Sequence, residues 1–190
     1  MKKSLLIFIV ALSLINISAS AQSYNSAPRE MFGPTINIGA GIGYYGYAGR
    51  PAPAVMANVE LDIARNITLA PFIGFYTYAN DYYWGSYDYP YRYYSYRETV
   101  VPVGVKGAYY FDQLFQAGEK WDFYAAASVG FAFHSVTWDN GYYGSRDVVS
   151  GPGPLYGTAH IGSRLHITQG FGLFLDLSTG FSTFGLSFKL

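Results

Sequence analysis

The residues able to do chemistry in this chain are few, and they share a placement. Glu60, Asp62, Lys106, Asp122, His134, His160, Arg164, His166, Asp176 and Lys189 all fall on the polar phase of segments in which apolar and polar side chains alternate. A period of two marks a β-strand, whose successive side chains point to opposite faces. These groups are therefore expected on one common face. If that face lines the inside of a closed sheet they must neutralise one another, because a buried charge without a partner is costly. The turn at 168–170 sets two segments side by side, so Asp176 is expected to meet Arg164 or His160. Glu60 and Asp62 are expected at the level of Lys189, within reach of its side chain. Two functions fit such a set: a polar plug of mutually paired charges, or a gated narrow channel for protons, ions or small solutes.

Other chemistries fit less well. His160 and His166 share a face but stand six residues apart, roughly 20 Å along a strand, too far to share one ion. His134 lies near the opposite end of its own segment, and the chain has no Cys, so no metal site and no cofactor is expected. Asp81 and Asp88 are too few to define a Ca²⁺ site. Phe133-His134-Ser135 places an imidazole beside a hydroxyl, but adjacent strand residues point to opposite faces and no acidic partner is evident at that depth. No catalytic residue is assigned, and the chain is expected not to be an enzyme.

The elements that must position these groups are long strands. Trp121–Trp138 is the clearest: Trp121, Phe123, Ala125, Ala127, Val129, Phe131 and Phe133 alternate with Asp122, Tyr124, Ala126, Ser128, Gly130, Ala132 and His134. Eighteen residues reach roughly 55–60 Å, or about 40–45 Å at a tilt of 35–45°, which matches a bilayer with its headgroup zones. Trp121 and Trp138 have opposite parity, so Trp138 is expected to belong already to the following loop, the alternative being a bulge near Ser135. The same alternation recurs over residues 34–45, 54–64, 67–78, 97–111, 155–167, 171–179 and 181–190, separated by a Gly/Pro link (47–53), a tight turn at Arg65-Asn66 and a polar turn (112–120). Pro71 and Pro102 cannot donate to a ladder, so each is expected at a bulge.

Two stretches are expected as long loops, 79–96 and 139–154. The first holds eight tyrosines, and Tyr is a low-entropy contact residue whose ring can stack on a partner. Tyr82, Tyr83, Trp84, Tyr87, Tyr89, Tyr91, Arg92, Tyr93 and Tyr94 are the binding candidates, for a surface glycan or protein ligand, joined by Tyr142, Tyr143 and Arg146. The bland alternative is a self-packed aromatic girdle.

Eight alternating strands with no helix of consequence make an all-β chain: an eight-stranded antiparallel up-and-down transmembrane β-barrel over residues 34–190. A spanning sheet must close on itself, because lipid leaves no backbone group to water. The interior of eight strands is just wide enough for side chains. A soluble barrel would hide its apolar face inside and carry its charges outside, the reverse of what is found here. With the N-terminus on the periplasmic side, the turns at 65–66, 112–120 and 168–170 fall there and the two long loops fall outside. Ahead of the barrel, Lys2, Lys3, an apolar run over 5–15 and Ala19-Ser20-Ala21 have the layout of a cleaved signal peptide (1–21), followed by a periplasmic lead-in (22–33). Removing the two lysines from twelve basic and twelve acidic residues leaves a net charge of −2, which gives no sign of nucleic-acid binding. Twenty Tyr and fourteen Phe suit a membrane interface, where a ring needs one wet and one apolar end.

With this strand count, the aromatic belts, the leader and the ending FSTFGLSFKL, the chain resembles the small outer-membrane barrels, the family of the OmpA transmembrane domain, OmpX and OmpW. The resemblance covers residues 34–190 and implies residence in outer-membrane lipids. It also implies that Phe184, Leu186, Phe188 and Leu190 form the signal read by the barrel-assembly machinery. The family pattern usually ends in an aromatic, whereas this chain ends in Leu190. The likeness implies a structural or surface-recognition, adhesion-like role. Barrels of this size also include lipid A deacylases and palmitoyltransferases. The deacylases space His and Ser as H-x-S on one face, a spacing that His134-Ser135 lacks; a lipid-modifying enzyme is the second alternative after the channel.

Overall fold

The computed structural model describes residues 33–44, 52–111, 120–138, 141–145 and 154–190. The expected signal peptide, all of the lead-in but Gly33, most of the 112–120 turn and Arg146 lie outside these. Eight strands form: β1 (Thr35–Gly43), β2 (Ala52–Ala64), β3 (Ile67–Ser86), β4 (Tyr89–Tyr110), β5 (Trp121–Trp138), β6 (Leu155–His166), β7 (Phe171–Ser178) and β8 (Phe181–Lys189). Each pairs antiparallel with the next, and β8 pairs with β1 from Thr35↔Lys189 to Gly43↔Phe181, closing the barrel. Among the described residues there is no helix.

The alternation places side chains as expected. Ile38, Val55, Ile73, Val129, Phe133, Ile161 and Leu177 point outward, each at least half exposed, and Leu155 is 72% exposed. Glu60, Lys106, Asp122, Arg164 and Asp176 point inward and are buried. The lumen is packed chiefly by aromatic rings lying on glycines of the adjacent or next-but-one strand. The position a Gly43 Cβ would take is 2.6 Å from the Tyr76 ring, that of Gly162 is 2.2 Å from Tyr124, and those of Gly39 and Gly185, which pair across β1 and β8, are 2.8 and 2.7 Å from Phe174. Hydrogen in place of a side chain is what admits these rings.

Four sequence expectations are corrected. The 79–96 stretch is not irregular. β3 and β4 run on as a two-stranded hairpin in one register from Tyr76↔Val100 to Trp84↔Arg92, and only 87–88 form the turn. Tyr and Trp have high strand propensity and their cross-strand pairs stabilise such ribbons. Trp138 is strand, not loop, and β5 has no bulge near Ser135: its register with β4 is unbroken from Tyr96↔Trp138 to Tyr110↔Tyr124. Neither proline marks a bulge. The β2–β3 ladder skips from Asn58↔Phe72 to Leu61↔Leu69 beside Pro71, and the β3–β4 ladder skips from Ile73↔Val103 to Tyr76↔Val100 beside Pro102, yet the register resumes unchanged in both. Each proline thus drops ladder contacts toward one neighbour without inserting a residue. The shifts occur instead between Asp62 and Ala64 and between Trp84 and Ser86. Finally β2 starts at Ala52, two residues before its expected start at Ala54, because Ala52 and Pro53 pair with Gly43 and Ile42.

Candidate functional site

The inward polar residues assemble in layers. Nearest the end that carries the 65–66 and 168–170 turns, Glu60 is the hub. Arg164 Nη2 donates to its Oε2, Tyr110 and Thr68 (2.8 Å) donate to Oε1, and Asn37 Nδ2 donates to Oε2 at 3.2 Å and to Asn58 Oδ1 at 2.8 Å. Asp122 completes this layer, 2.7 Å from His166 Nε2 and 3.8 Å from Arg164 Nη1. One layer further in, Asp176 receives Lys106 Nζ (2.9 Å), the Tyr124 hydroxyl (2.8 Å) and His160 Nδ1 (2.6 Å). The opposite imidazole nitrogen, His160 Nε2, lies 2.8 Å from both Ser128 Oγ and Thr158 Oγ1. Above this comes an apolar layer of Tyr76, Val100, Ala132, Tyr156 and Phe181 with Met56 and Phe72 packed against it. Glu98 follows, 2.8 Å from His134 Nδ1 and accepting the Tyr78 hydroxyl.

Aromatic residues roof the lumen at the hairpin end. Trp138 stacks on Tyr142 with centroids 4.0 Å apart and meets Tyr96 at 4.9 Å, while Tyr142 also contacts Trp84 and Tyr94. Arg92 lies over Tyr94 at 4.7 Å. Tyr89 stacks on Tyr143 at 4.8 Å. The opposite face of the hairpin carries Tyr83, Tyr91 and Tyr93, which remain 55, 67 and 71% exposed, and Tyr87 stands free at the tip.

This arrangement both meets and departs from the sequence expectations. Asp176 meets His160, one of its two expected partners. Glu60 does not pair with Lys189, although both lie opposite Thr35; it takes Arg164 Nη2 across the lumen instead. Asp62 accepts the Gly33 amide at 2.7 Å, and Lys189 is exposed. His134 does have an acidic partner at its depth, Glu98, which the sequence reading missed. The signal was available, because Glu98 shares its parity with Lys106 on one strand, but it stood at the edge of a presumed loop. The interior phenols Tyr78 and Tyr110 and the ring of Phe174 were missed for a related reason: aromatics were assigned to the outer belts; Tyr124 was placed on the polar face but given no role. Asp81 is bound to Ser95 Oγ at 2.6 Å, and Asp88 sits at the hairpin tip.

Chemically, Ser128, His160 and Asp176 form a hydroxyl–imidazole–carboxylate line, the order used for nucleophile activation. Lys106 shares the carboxylate, Thr158 shares the imidazole nitrogen, and the adjoining cavity of about 10 Å³ has room for one water. The line therefore serves as a closed hydrogen-bond chain. His134 and Ser135 point to opposite faces, as their spacing implies. Truncating Glu98 to leucine should leave His134 and the Tyr78 hydroxyl without their acceptor, for a loss of about 1–3 kcal/mol in the denaturant midpoint of the barrel; an unchanged midpoint would show that this layer is not bonded as described.

No family model matches the sequence, and no curated protein matches it. Among solved structures, a barrel from the de novo design of transmembrane β-barrels aligns with 86% of this chain and 100% of its own, at TM-score 0.47 and 11% identity. Ail, the attachment invasion locus protein of Yersinia pestis, solved in complex with the heparin analogue sucrose octasulfate, aligns with 81% of this chain and 91% of its own, at TM-score 0.40 and 7% identity. These are likenesses of outline, and the architecture of this chain rests on its own strand registers.

Proposed function

We propose that the chain is an integral outer-membrane barrel that conducts nothing, catalyses nothing, and presents the β3–β4 hairpin as a surface-recognition element. The observation that carries this reading is the division of the hairpin into two faces. One is spent on roofing the lumen, and the other offers Tyr83, Tyr91 and Tyr93 to the surroundings.

The membrane location is supported by the outward face. Val129, Phe133, Leu155 and Ile161 are 59–72% exposed, a contiguous apolar surface that water would not tolerate on a monomer. On β3 and β4 the band runs over 67–75 and 101–109, about 30 Å of strand and roughly 20–25 Å of height once tilted. The stack of Trp121 on Phe123 and the contact of Phe171 with Phe188 place aromatics at one rim, as an interfacial girdle would. Phe184, Leu186 and Phe188 lie outward on β8, the strand that closes the barrel, and Leu190 is exposed just beyond its end; in this reading the four serve as the signal for the assembly machinery.

The channel alternative is opposed by the lumen, which is crossed by bonded charge layers, an apolar layer and an aromatic roof. In planar bilayers the purified protein should give no unitary conductance steps, and reproducible steps would overturn the plug. Removing residues 82–94 and rejoining the strands should abolish attachment of expressing cells to their surface ligand while the barrel keeps its gel-mobility shift on boiling. Attachment that survives the deletion would sink the recognition role.

A further inference from the structure

We infer that the outward face of the β3–β4 hairpin docks the saccharide headgroups of glycolipids in the same membrane leaflet. The inference rests on the membrane reading above and names the chemistry that the exposed tyrosines take.

Three observations carry it. The first is continuity. β3 and β4 keep a single register from Ile67↔Tyr109 to Trp84↔Arg92, so Tyr83 and Tyr93 stand on the same face as Ile73 and Val103. That face looks sideways over the lipid, not upward into the medium. Tyr83 lies eight residues beyond Phe75, the last apolar residue of the belt on β3. That is roughly 25 Å along the strand and about 20 Å in height, above the hydrocarbon and beyond the interfacial zone of about 5–8 Å per leaflet, at a level that only a sugar chain projecting from its lipid anchor reaches.

The second is the shape of the ladder. Tyr83 lies 5.0 Å from Tyr93 and 6.2 Å from Tyr91 between ring centroids. A Cβ on Gly85 would fall 2.5 Å from Tyr91 Cγ, so the Tyr91 ring lies down on the bare glycine and turns its outer side to the surroundings. The result is a faceted platform, with the Tyr91 and Tyr93 rings tilted 35° and 56° against Tyr83, rather than a row of upright side chains. The apolar CH faces of pyranose rings stack on such a platform while their hydroxyls reach the phenol oxygens at its rim.

The third is charge. Arg92 is turned to the roof over Tyr94. The nearest charged group on the ladder's own face is Asp81, held by Ser95 directly opposite it in the register. Arg97, exposed on the same face and paired with Ala79, stands diagonal to Asp81, so the flank of the ladder carries one charge of each sign with no net charge, which suits neutral polyols better than a phosphate.

The test is a titration of the full-length protein in non-denaturing detergent, followed by native mass spectrometry. The two probes share a lipid anchor: rough lipopolysaccharide bearing its core oligosaccharide, and lipid A lacking it. The core-bearing form should bind roughly tenfold or more tightly than lipid A, since each stacked ring contributes a factor of about 2 to 10. The Y83S/Y91S/Y93S variant should bind the two equally while keeping its gel shift on boiling, and Y93S alone should lose part of the preference. Equal binding of both probes by the unmodified protein would overturn the inference, as would a preference that persists in the triple variant. Self-association lost in that variant would replace the glycolipid by a second copy of the chain. Lipid A binding and a gel shift that persist alongside a failed preference would sink the docking but leave the membrane reading intact, whereas absence of any gel shift would sink both.

Discussion

Arg164→Met is expected to destabilise the barrel by about 3–5 kcal/mol, the cost of leaving a buried charge without its partner. Arg164 is 3% exposed, donates to Glu60, lies 3.8 Å from Asp122 and sits over the Tyr110 ring at 5.8 Å. Methionine fills much of the same volume and removes only the charge and its donors. Glu60 would keep its contacts to Tyr110, Thr68 and Asn37, but those are neutral donors and cannot offset a carboxylate in a medium this poor in water. Asp122 would fall back on His166 alone. The partner substitution separates lost packing from an exposed charge problem. Adding Glu60→Gln removes the orphaned carboxylate, so the double variant should recover most of the loss, as replaced buried ion pairs often do. Urea unfolding in lipid vesicles, read by the fraction of protein that still migrates as the folded form without boiling, gives all four corners of the cycle. A single-variant loss below about 1 kcal/mol would place this pair among solvated surface bridges and refute the sealed lumen.

The same residue shows what could be read ahead of the structure. The alternation told which side of each strand Arg164 and Glu60 occupy, because a strand's faces depend on local order alone. It did not tell that they meet, since β2 and β6 are not neighbours in the ring and their contact spans 104 residues of sequence. That contact depends on the curvature of the closed sheet and on side-chain length across the lumen. Asp176 and His160 were legible as a pair because they sit on adjacent strands joined by a short turn. The hairpin was misread because Asn80, Asp81, Gly85, Asp88 and Pro90 mimic turn chemistry, while Tyr76, Tyr78, Tyr82 and Trp84 kept the strand alternation beneath it. Trp138 shows the converse. Its parity was read correctly as opposite to Trp121, and the structure reconciles the two by setting Trp138 on the lumen side as part of the roof, where it needs no bulge.

Gly130→Val is expected to prevent the barrel from closing. Gly130 pairs with Gly104 across β5 and β4, on the far side of the ring from the Gly39↔Gly185 pair of β1 and β8. Side-chain-free pairs at these opposed seams let the wall turn sharply, a device by which sheets are bent into barrels. At Gly130 an added Cβ would lie 2.0 Å from the Val103 carbonyl oxygen and 2.6 Å from Gly104 Cα. Both obstacles are backbone, so no rotamer change relieves them and the two strands must part. On the membrane reading each ladder group so released costs several kcal/mol, because lipid offers nothing else to bond it. The substitution should abolish the mobility shift between unboiled and boiled samples. Gly157→Val supplies the control. It lies on the next strand with an outward side, and its nearest obstacle is the Ser128 carbonyl oxygen at 3.9 Å, so an added isopropyl group would meet only the apolar surroundings. Gly157→Val should fold with an unchanged shift. If Gly130→Val also closes normally, the wall does not depend on bare glycine at that seam, and the tight approach of β4 to β5 is not what shapes the barrel.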